Sequence, residues 1–237
     1  MKKVVVTGGY GFIGSNLVRL LLKKKYKVLN IDKLSYSSNR YNLSGIKDKR
    51  YKFIKLDICN HLGLYKILKN FKPDIIFNLA AETHVDRSID SPNNFIKNNY
   101  YGVFSLLECI RKYEISKSIK LRLVHVSTDE VYGDIKNKKK SIEGDTYNPS
   151  SPYSATKGAA DLLIKSYVRT FGTNAIISNC SNNYGPFQHN EKFIPNILKS
   201  LIDRTKIPIY GDGKNIRDWL YVDDHCDAIE LIFNKGV

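Results

Sequence analysis

Short apolar runs alternate with longer amphipathic stretches through most of the chain. Lys3 to Val6, Val28 to Ile31, Phe53 to Leu56, Ile75 to Leu79, Leu121 to Val126 and Asn174 to Ser178 have strand length and are rich in aliphatic residues. Between the first two, apolar residues recur at helical spacing: Phe12, Ile13, Leu17, Leu20 and Leu21. The pattern predicts further helices over Leu62 to Phe71, ended by Pro73, and over Asn93 to Tyr113 and Pro152 to Phe171. Ile75 to Leu79 is almost wholly apolar, as a strand covered on both faces must be. Strands that alternate with helices in this way predict an α/β fold, a doubly wound parallel sheet with right-handed crossovers.

The alternation breaks after residue 180. Asn182 to Pro186 reads as turn chemistry, Phe193 to Ile202 as a helix, Ile207 to Tyr210 as a short strand, and Arg217 to Val222 as an extended run leading into a helix over Asp223 to Phe233. Residues 1–180 are therefore read as one cofactor-binding domain. Residues 181–237 are read as an incomplete substrate-binding region with elements that return to the first domain. Asp134 to Ser151, with its lysine block, is the best candidate for a moving flap.

Composition narrows the class. The four cysteines, Cys59, Cys109, Cys180 and Cys226, form no CxxC pair, which argues for reduced thiols in a cytoplasmic protein and against a disulfide framework or a structural metal. No apolar run approaches the length of a membrane span. The formal charge of +15 comes from 38 basic against 23 acidic residues. The lysines are scattered or in short blocks without interleaved aromatics, so they read as a solvated surface that attracts small anions and not as a nucleic-acid site.

Gly8, Gly11 and Gly14 lie between the first strand and the first helix. Glycines there allow a tight turn and close backbone approach to a pyrophosphate at the helix N-terminus. Asp32 ends the second strand, where a carboxylate accepts ribose hydroxyls and repels a 2′-phosphate. The pairing predicts a Rossmann domain that prefers NAD to NADP. Lys33 beside Asp32 works against that preference, and a purely loop-capping Asp32 is the alternative.

Two further groups carry chemistry. Tyr153 and Lys157 sit one helical turn apart, so an ammonium can favour the phenolate form of the tyrosine. Thr128, Asp129 and Glu130 follow the strand that ends near Val126, at the strand end where open α/β sheets hold ligands. Adjacent carboxyls can take separated pKa values, one serving as acid and the other as base. Taken singly, the Tyr-x-x-x-Lys pair reads as a surface pair and the Asp-Glu pair as loop charge. Their shared context favours a redox step coupled to elimination of water.

These motifs resemble the extended short-chain dehydrogenase/reductase family, in its nucleotide-sugar branch. The likeness rests on Thr7 to Gly14, Asp32 to Tyr36, Leu79 to Ser88, Ser127 to Gly133, Pro152 to Lys157, Asn179 to Pro186, Glu191-Lys192 and Gly211 to Asp224. It implies NAD as cofactor and a nucleotide sugar, dTDP-glucose, as substrate. Oxidation at C4, loss of water across C5 and C6, and return of hydride to C6 are the implied steps. Tyr153 is the implied base at the 4-hydroxyl, with Lys157 beside it and Thr128 bonded to the 4-oxygen. Glu130 is the implied base at C5 and Asp129 the acid at the 6-hydroxyl. Implied cofactor contacts are Gly8, Gly11, Phe12, Ile13, Gly14, Asp32, Lys33, Leu34, Ser35, Asp57, Ile58, Leu79, Ala80, Ala81, Glu82, Thr83, Asn98, Tyr153, Lys157 and Asn183. Implied substrate contacts are Thr83, Thr128, Asn182, Lys192, Phe193, Pro208, Ile209, Tyr210 and Arg217. No metal is implied.

Members of the family continue past the position of Val237, so the resemblance also implies a truncated sequence. It implies a homodimer built through the helices 93–113 and 152–171. The rival readings are another nucleotide-sugar dehydratase, epimerase or decarboxylase, and a non-catalytic NAD-binding protein of the same fold.

Overall fold

Val4, Val5 and Val6 are wholly buried, which requires a strand covered on both faces. They lie in β1 (Lys3–Thr7), the centre of a six-stranded parallel sheet in the order β3-β2-β1-β4-β5-β6. Its other strands are β2 (Lys27–Asp32), β3 (Tyr51–Lys55), β4 (Ile75–Asn78), β5 (Arg122–Thr128) and β6 (Ala175–Cys180). Side chains alternate between two cores. Val5 joins Leu29, Ile31 and Ile76 on one face, whereas Val4 and Val6 join Val28, Ile75 and Phe77 on the other. A computed structural model describes residues 1–135, 140–207, 209 and 212–236.

Helices cover both faces. On the first lie α2 (His61–Phe71), α5 (Gly102–Lys117) and α6 (Pro152–Phe171), and on the second α1 (Phe12–Lys23) and α8 (Val222–Lys235). Strand order reverses between β1 and β4: β1 to β3 run to one side and β4 to β6 to the other. A crevice opens outside the strand ends at such a reversal.

Local sequence accounts for the ends of α6. Ser151 and Ser154 form a capping box, Pro152 occupies the first turn, and Gly172 ends the helix at φ +64°. The boundary of β5 differs from expectation. It runs on through Ser127 and Thr128, whose backbones pair with Asn179 and Cys180 of β6. The strand's edge register thus carries the site motif to the rim of the sheet.

Four local features depart from the apolar pattern. Val85–Asp90 forms a short helix, α3, with the ring of His84 at its N-cap. The long helix expected from Asn93 to Tyr113 begins as α4 (Pro92–Phe95), passes through a π-helical stretch over Ile96–Tyr101, and continues as α5. Asn182–Tyr184 is a strand, β7, and not a turn. It pairs in parallel with β8 (Trp219–Tyr221), shorter than the run expected from Arg217 to Val222. Such a pairing between distant segments leaves no mark in local periodicity. Helix α7 (Phe193–Ile202) forms as expected. Within the expected strand Ile207 to Tyr210, Ile207 and Ile209 are not in a strand, and Pro208 and Tyr210 lie outside the described residues, as do Gly211 and residues 136–139 of the expected flap.

Candidate active site

A cavity of about 390 Å³ lies over the strand reversal, between the β1–α1 turn and the ends of β5 and β6. Gly8, Gly11, Phe12, Ile13 and Gly14 form one wall. Two of these glycines are demanded by geometry. Gly8 stands at φ +72°, and a Cβ there would fall 2.8 Å from the Ala80 nitrogen. A Cβ on Gly14 would fall 2.2 Å from the Gly8 oxygen. No side chain caps α1 and no acidic residue lies in its first turn, so its leading N–H groups are open to an anion.

Asp32 is buried at the next corner. Its Oδ2 accepts from Tyr10 N (2.9 Å), and its Oδ1 accepts from Leu34 N (2.7 Å) and Ser38 Oγ (2.8 Å). The loop-capping role is therefore real, and it leaves acceptor capacity on Oδ2 for one more donor, not for two ribose hydroxyls. Lys33 is held away from that corner. Its ammonium bonds Asn98 Oδ1 (2.7 Å) and pairs with Glu82 (2.9 Å).

Lys33, Ser35, Asp57, Ile58, Leu79, Ala80, Ala81, Thr83 and Asn98 also line the cavity. Four of the expected contacts, Leu34, Glu82, Ile209 and Arg217, do not. Leu34 contributes its backbone N–H to Asp32. Glu82 is turned to Lys33, with its backbone tied to Asn99. Arg217 is exposed and donates to the Ile216 carbonyl, although its charge still lowers the Glu130 pKa. On the substrate side Asn182, Asn183, Lys192 and Phe193 line the cavity, and Phe193 stacks on Trp219 with ring centroids 6.1 Å apart. Ile209 is exposed.

The opposite wall carries the reactive groups. Thr128, Glu130, Tyr153 and Lys157 all face the cavity. Asp129 lies just behind this wall, where its Oδ1 accepts from Thr128 Oγ1 (3.3 Å). Burial raises the carboxyl pKa of both acids. The Asp129 charge raises Glu130 further, while Lys192 and Arg217 pull it down.

Tyr153 corrects one expectation. Its phenol is pushed well above the ordinary range, first by burial and then by the Glu130 charge, and a hydrogen bond with Thr128 opposes the rise. Lys157 is not what governs it in this state. The ammonium donates to the Val126 carbonyl (2.7 Å) and lies 3.4 Å from His125 Nε2. Sequence reasoning missed that neighbour and two others: Cys180, in the cavity wall, and Asp161, buried behind it. The signal for two of them was present. Asp161 follows Lys157 at i+4 on the same helix face, and His125 precedes Ser127 by two on the same strand face.

A glycine-turned groove at a sheet reversal, faced by a Tyr–Lys helix and a Thr-Asp-Glu strand end, defines a dinucleotide-dependent enzyme of the extended short-chain dehydrogenase/reductase class. The family model for GDP-mannose 4,6 dehydratase matches residues 5–237, and the chain belongs to this family. It is 46% identical over 239 residues to a probable dTDP-glucose 4,6-dehydratase of Sinorhizobium fredii, covering 99% of this chain and 68% of the relative. Against the dTDP-glucose 4,6-dehydratase of Neisseria meningitidis it is 44% identical, covering 100% of this chain and 69% of the relative. Among solved structures, the Streptomyces venezuelae dTDP-glucose 4,6-dehydratase DesIV, with NAD and TYD bound, superposes with a TM-score of 0.92 at 42% identity, over 99% of this chain and 72% of that one. A UDP-glucose 4-epimerase of Thermus thermophilus in complex with NAD follows at 0.89 and 28% identity, over 98% and 75%.

Proposed function

We propose that this protein dehydrates a nucleotide-diphosphate hexose, dTDP-glucose, to its 4-keto-6-deoxy product with NAD as cofactor. The observation that carries the reading is the convergence of Thr128, Glu130, Tyr153 and Lys157 on one cavity, opposite the glycine turn. The names of its relatives support the choice of dTDP-glucose.

The cavity suits NAD. Gly8 and Gly14 leave a cradle that side chains would fill, and the N-terminus of α1 offers N–H donors to a pyrophosphate. Asp32 retains one acceptor site for a ribose hydroxyl, and neutralisation of Lys33 by Glu82 removes the nearest partner for a 2′-phosphate. NAD, when bound, supplies the acceptor for the C4 hydride and returns that hydride to C6.

The protein's own groups handle the protons. Tyr153 takes the proton of the 4-hydroxyl as C4 is oxidised, with Thr128 bonded to the oxygen; the positive charge of the nicotinamide ring, with Lys157 beside it, would offset the burial that otherwise holds the phenol protonated. The 4-ketone acidifies the C5 proton, which Glu130 removes and gives back to C5 as the hydride returns to C6; burial raises its pKa above that of an ordinary carboxylate, which strengthens it as a base. Asp129, also raised by burial, does not itself line the cavity but is joined to its wall by the bond from Thr128 Oγ1, and it is the acid assigned to the departing 6-hydroxyl, so that water leaves. Lys192 lines the substrate side of the cavity as a cation for the diphosphate, with Asn182 and Phe193 beside it.

Residues 1–180 are read as the cofactor-binding unit and 181–237 as the substrate-binding region, from which α8 returns to pack on α1. Exposed Tyr100, Tyr101 and Phe104 on one long helix, with Leu162, Val168 and Phe171 on α6, support a homodimer through this pair. Four free thiols fit a cytoplasmic setting. No helix among the described residues is long and apolar enough to cross a membrane.

The test is incubation of the purified chain with dTDP-glucose and NAD, followed by mass spectrometry. Loss of one water with a new 4-ketone is expected. A C4-epimerised sugar of unchanged mass overturns the reading in favour of an epimerase.

A further inference from the structure

Behind the catalytic wall runs a buried polar chain that the reaction does not itself use. Ala80 N donates to Thr7 Oγ1 (3.2 Å), and Thr7 Oγ1 donates to Asn78 Oδ1 (2.6 Å). This fixes the amide of Asn78, whose Nδ2 donates to His125 Nδ1 (2.8 Å). With Nδ1 accepting, the proton of a neutral His125 sits on Nε2. That atom lies 3.6 Å from Asp161 Oδ1 and 3.4 Å from Lys157 Nζ. The other Asp161 oxygen accepts from Ser127 Oγ (2.6 Å), Tyr147 OH (3.3 Å) and Asn179 Nδ2 (3.4 Å). Asn179 also donates to the Thr128 carbonyl (3.1 Å).

Lys157 is 3% exposed, Asp161 0% and His125 1%. An ammonium so deeply buried loses its proton unless a negative charge offsets the desolvation. Two groups favour its charged form, Asp161 and Cys180. Burial pushes the Cys180 thiol up to about 12, so it is neutral at ordinary pH and carries no counter-charge. His125 is held neutral by burial and by Lys157 itself. Asp161 is the remaining counter-charge: burial raises its carboxyl pKa, and Lys157 with the hydrogen bonds from Ser127, Asn179 and Tyr147 draws it back toward the ionised form.

We propose that Asp161 is a positioning residue for the proton transfer at Tyr153: one helical turn from Lys157 on the same face of α6, with the neutral ring of His125 beside both, it supplies the buried negative charge that keeps the Lys157 ammonium protonated on the floor of the groove. This deepens the activity proposed above and rests on it. The same carboxylate braces the ends of β5 and β6 through Ser127 and Asn179. It thereby couples the charge state of Lys157 to the setting of Thr128. The face that runs Tyr153, Lys157, Asp161 along α6 places phenol, ammonium and counter-ion in successive turns.

The titratable neighbours do not confuse the test. Tyr132 and Tyr147 face Asp161 with pKa values raised by burial, and Cys180 stands at about 12. Asp129, Glu130 and Tyr153, on the same wall of the groove, are present in both proteins compared. Removal of the Asp161 charge also eases ionisation of Tyr132 and Tyr147, both of which burial still holds up, whereas for Lys157 it lowers an already depressed pKa.

In Asp161→Asn the alkaline limb of turnover, where Lys157 loses its proton, moves toward neutral pH by about one unit or more. Ser127→Ala, which removes a hydrogen bond and keeps the charge, leaves the limb in place. An equal loss of rate at every pH, with an unmoved limb, overturns the proposal in favour of a structural role. Thermal denaturation reads the same charge without substrate. The folded pKa of Lys157 is below its unfolded value and falls further in Asp161→Asn, so the Tm deficit of the variant is largest near about pH 7 and shrinks toward about pH 10. A deficit independent of pH overturns the proposal. Should Asp161→Asn not fold, nitrogen-15 NMR of the unaltered protein decides. A neutral His125 ring with its proton on Nε2 supports the link to Asp161, and a proton on Nδ1 breaks it. Absence of turnover in the unaltered protein counts against the proposed activity, while the melting and NMR results still decide the role of Asp161.

Discussion

The two walls of the groove work by different physics. The glycine wall recognises by shape: a turn at positive φ, a helix end without a cap, and a carboxylate already bonded to three of the protein's own donors. The β5–α6 wall works by withdrawing ionisable groups from water. Burial displaces the pKa values of Asp129, Glu130, Tyr153, Lys157 and Asp161, each against its charged form. Binding tolerates a rigid, satisfied surface, whereas proton transfer needs groups whose charge is poorly solvated and can be moved by a ligand.

The sharpest break in this contrast is Tyr153→Phe. It removes the proton acceptor of the first step and leaves the glycine wall intact. Turnover is expected to fall by about 10²–10⁴-fold with NAD affinity unchanged, read by product formation and by cofactor titration. A parallel loss of NAD binding would show that the walls are not separable.

Gly14→Ala tests the other wall. Its Cβ meets the Gly8 oxygen, carbonyl carbon and the Gly9 Cα, all backbone atoms that must shift. Overpacking of this kind costs about 1–3 kcal/mol, to be measured by denaturant unfolding, and NAD affinity falls with it. Asp32→Ala leaves the donors of Tyr10, Leu34 and Ser38 without their acceptor. A loss of about 1–3 kcal/mol is expected, visible without any cofactor present. Unchanged stability would mean that Asp32 serves the cofactor alone.

The smallest effect is on pH. As a base, Glu130 works only while ionised, so turnover falls as pH drops through its raised pKa. Lys192 lowers that pKa, and Lys192→Met therefore moves the acid limb to higher pH. A limb that stays in place would separate Lys192 from Glu130.

Legibility followed the range of the interactions. Glycine spacing, the apolar strand at Ile75 and the Tyr153–Lys157 helix face were readable because each depends on residues within a few positions. The pairing of Asn182–Tyr184 with Trp219–Tyr221 was not, since each partner is a short segment of turn-like composition until the other is beside it. Lys33 shows the same limit at a single residue. Beside Asp32 it read as an attractor of phosphate, and only the approach of Glu82 and Asn98 revealed that its charge is already matched.

By itself the amino-acid sequence determined the parallel α/β architecture, the glycine turn and the residue types that do the chemistry, because periodicity and backbone permissiveness are local properties. Tertiary structure alone decided how those residues are charged. Desolvation depends on what packs over a side chain: Asp161 shares a helix face with Lys157 by sequence, but His125 reaches that pair, and water leaves it, only when β5 is laid against α6.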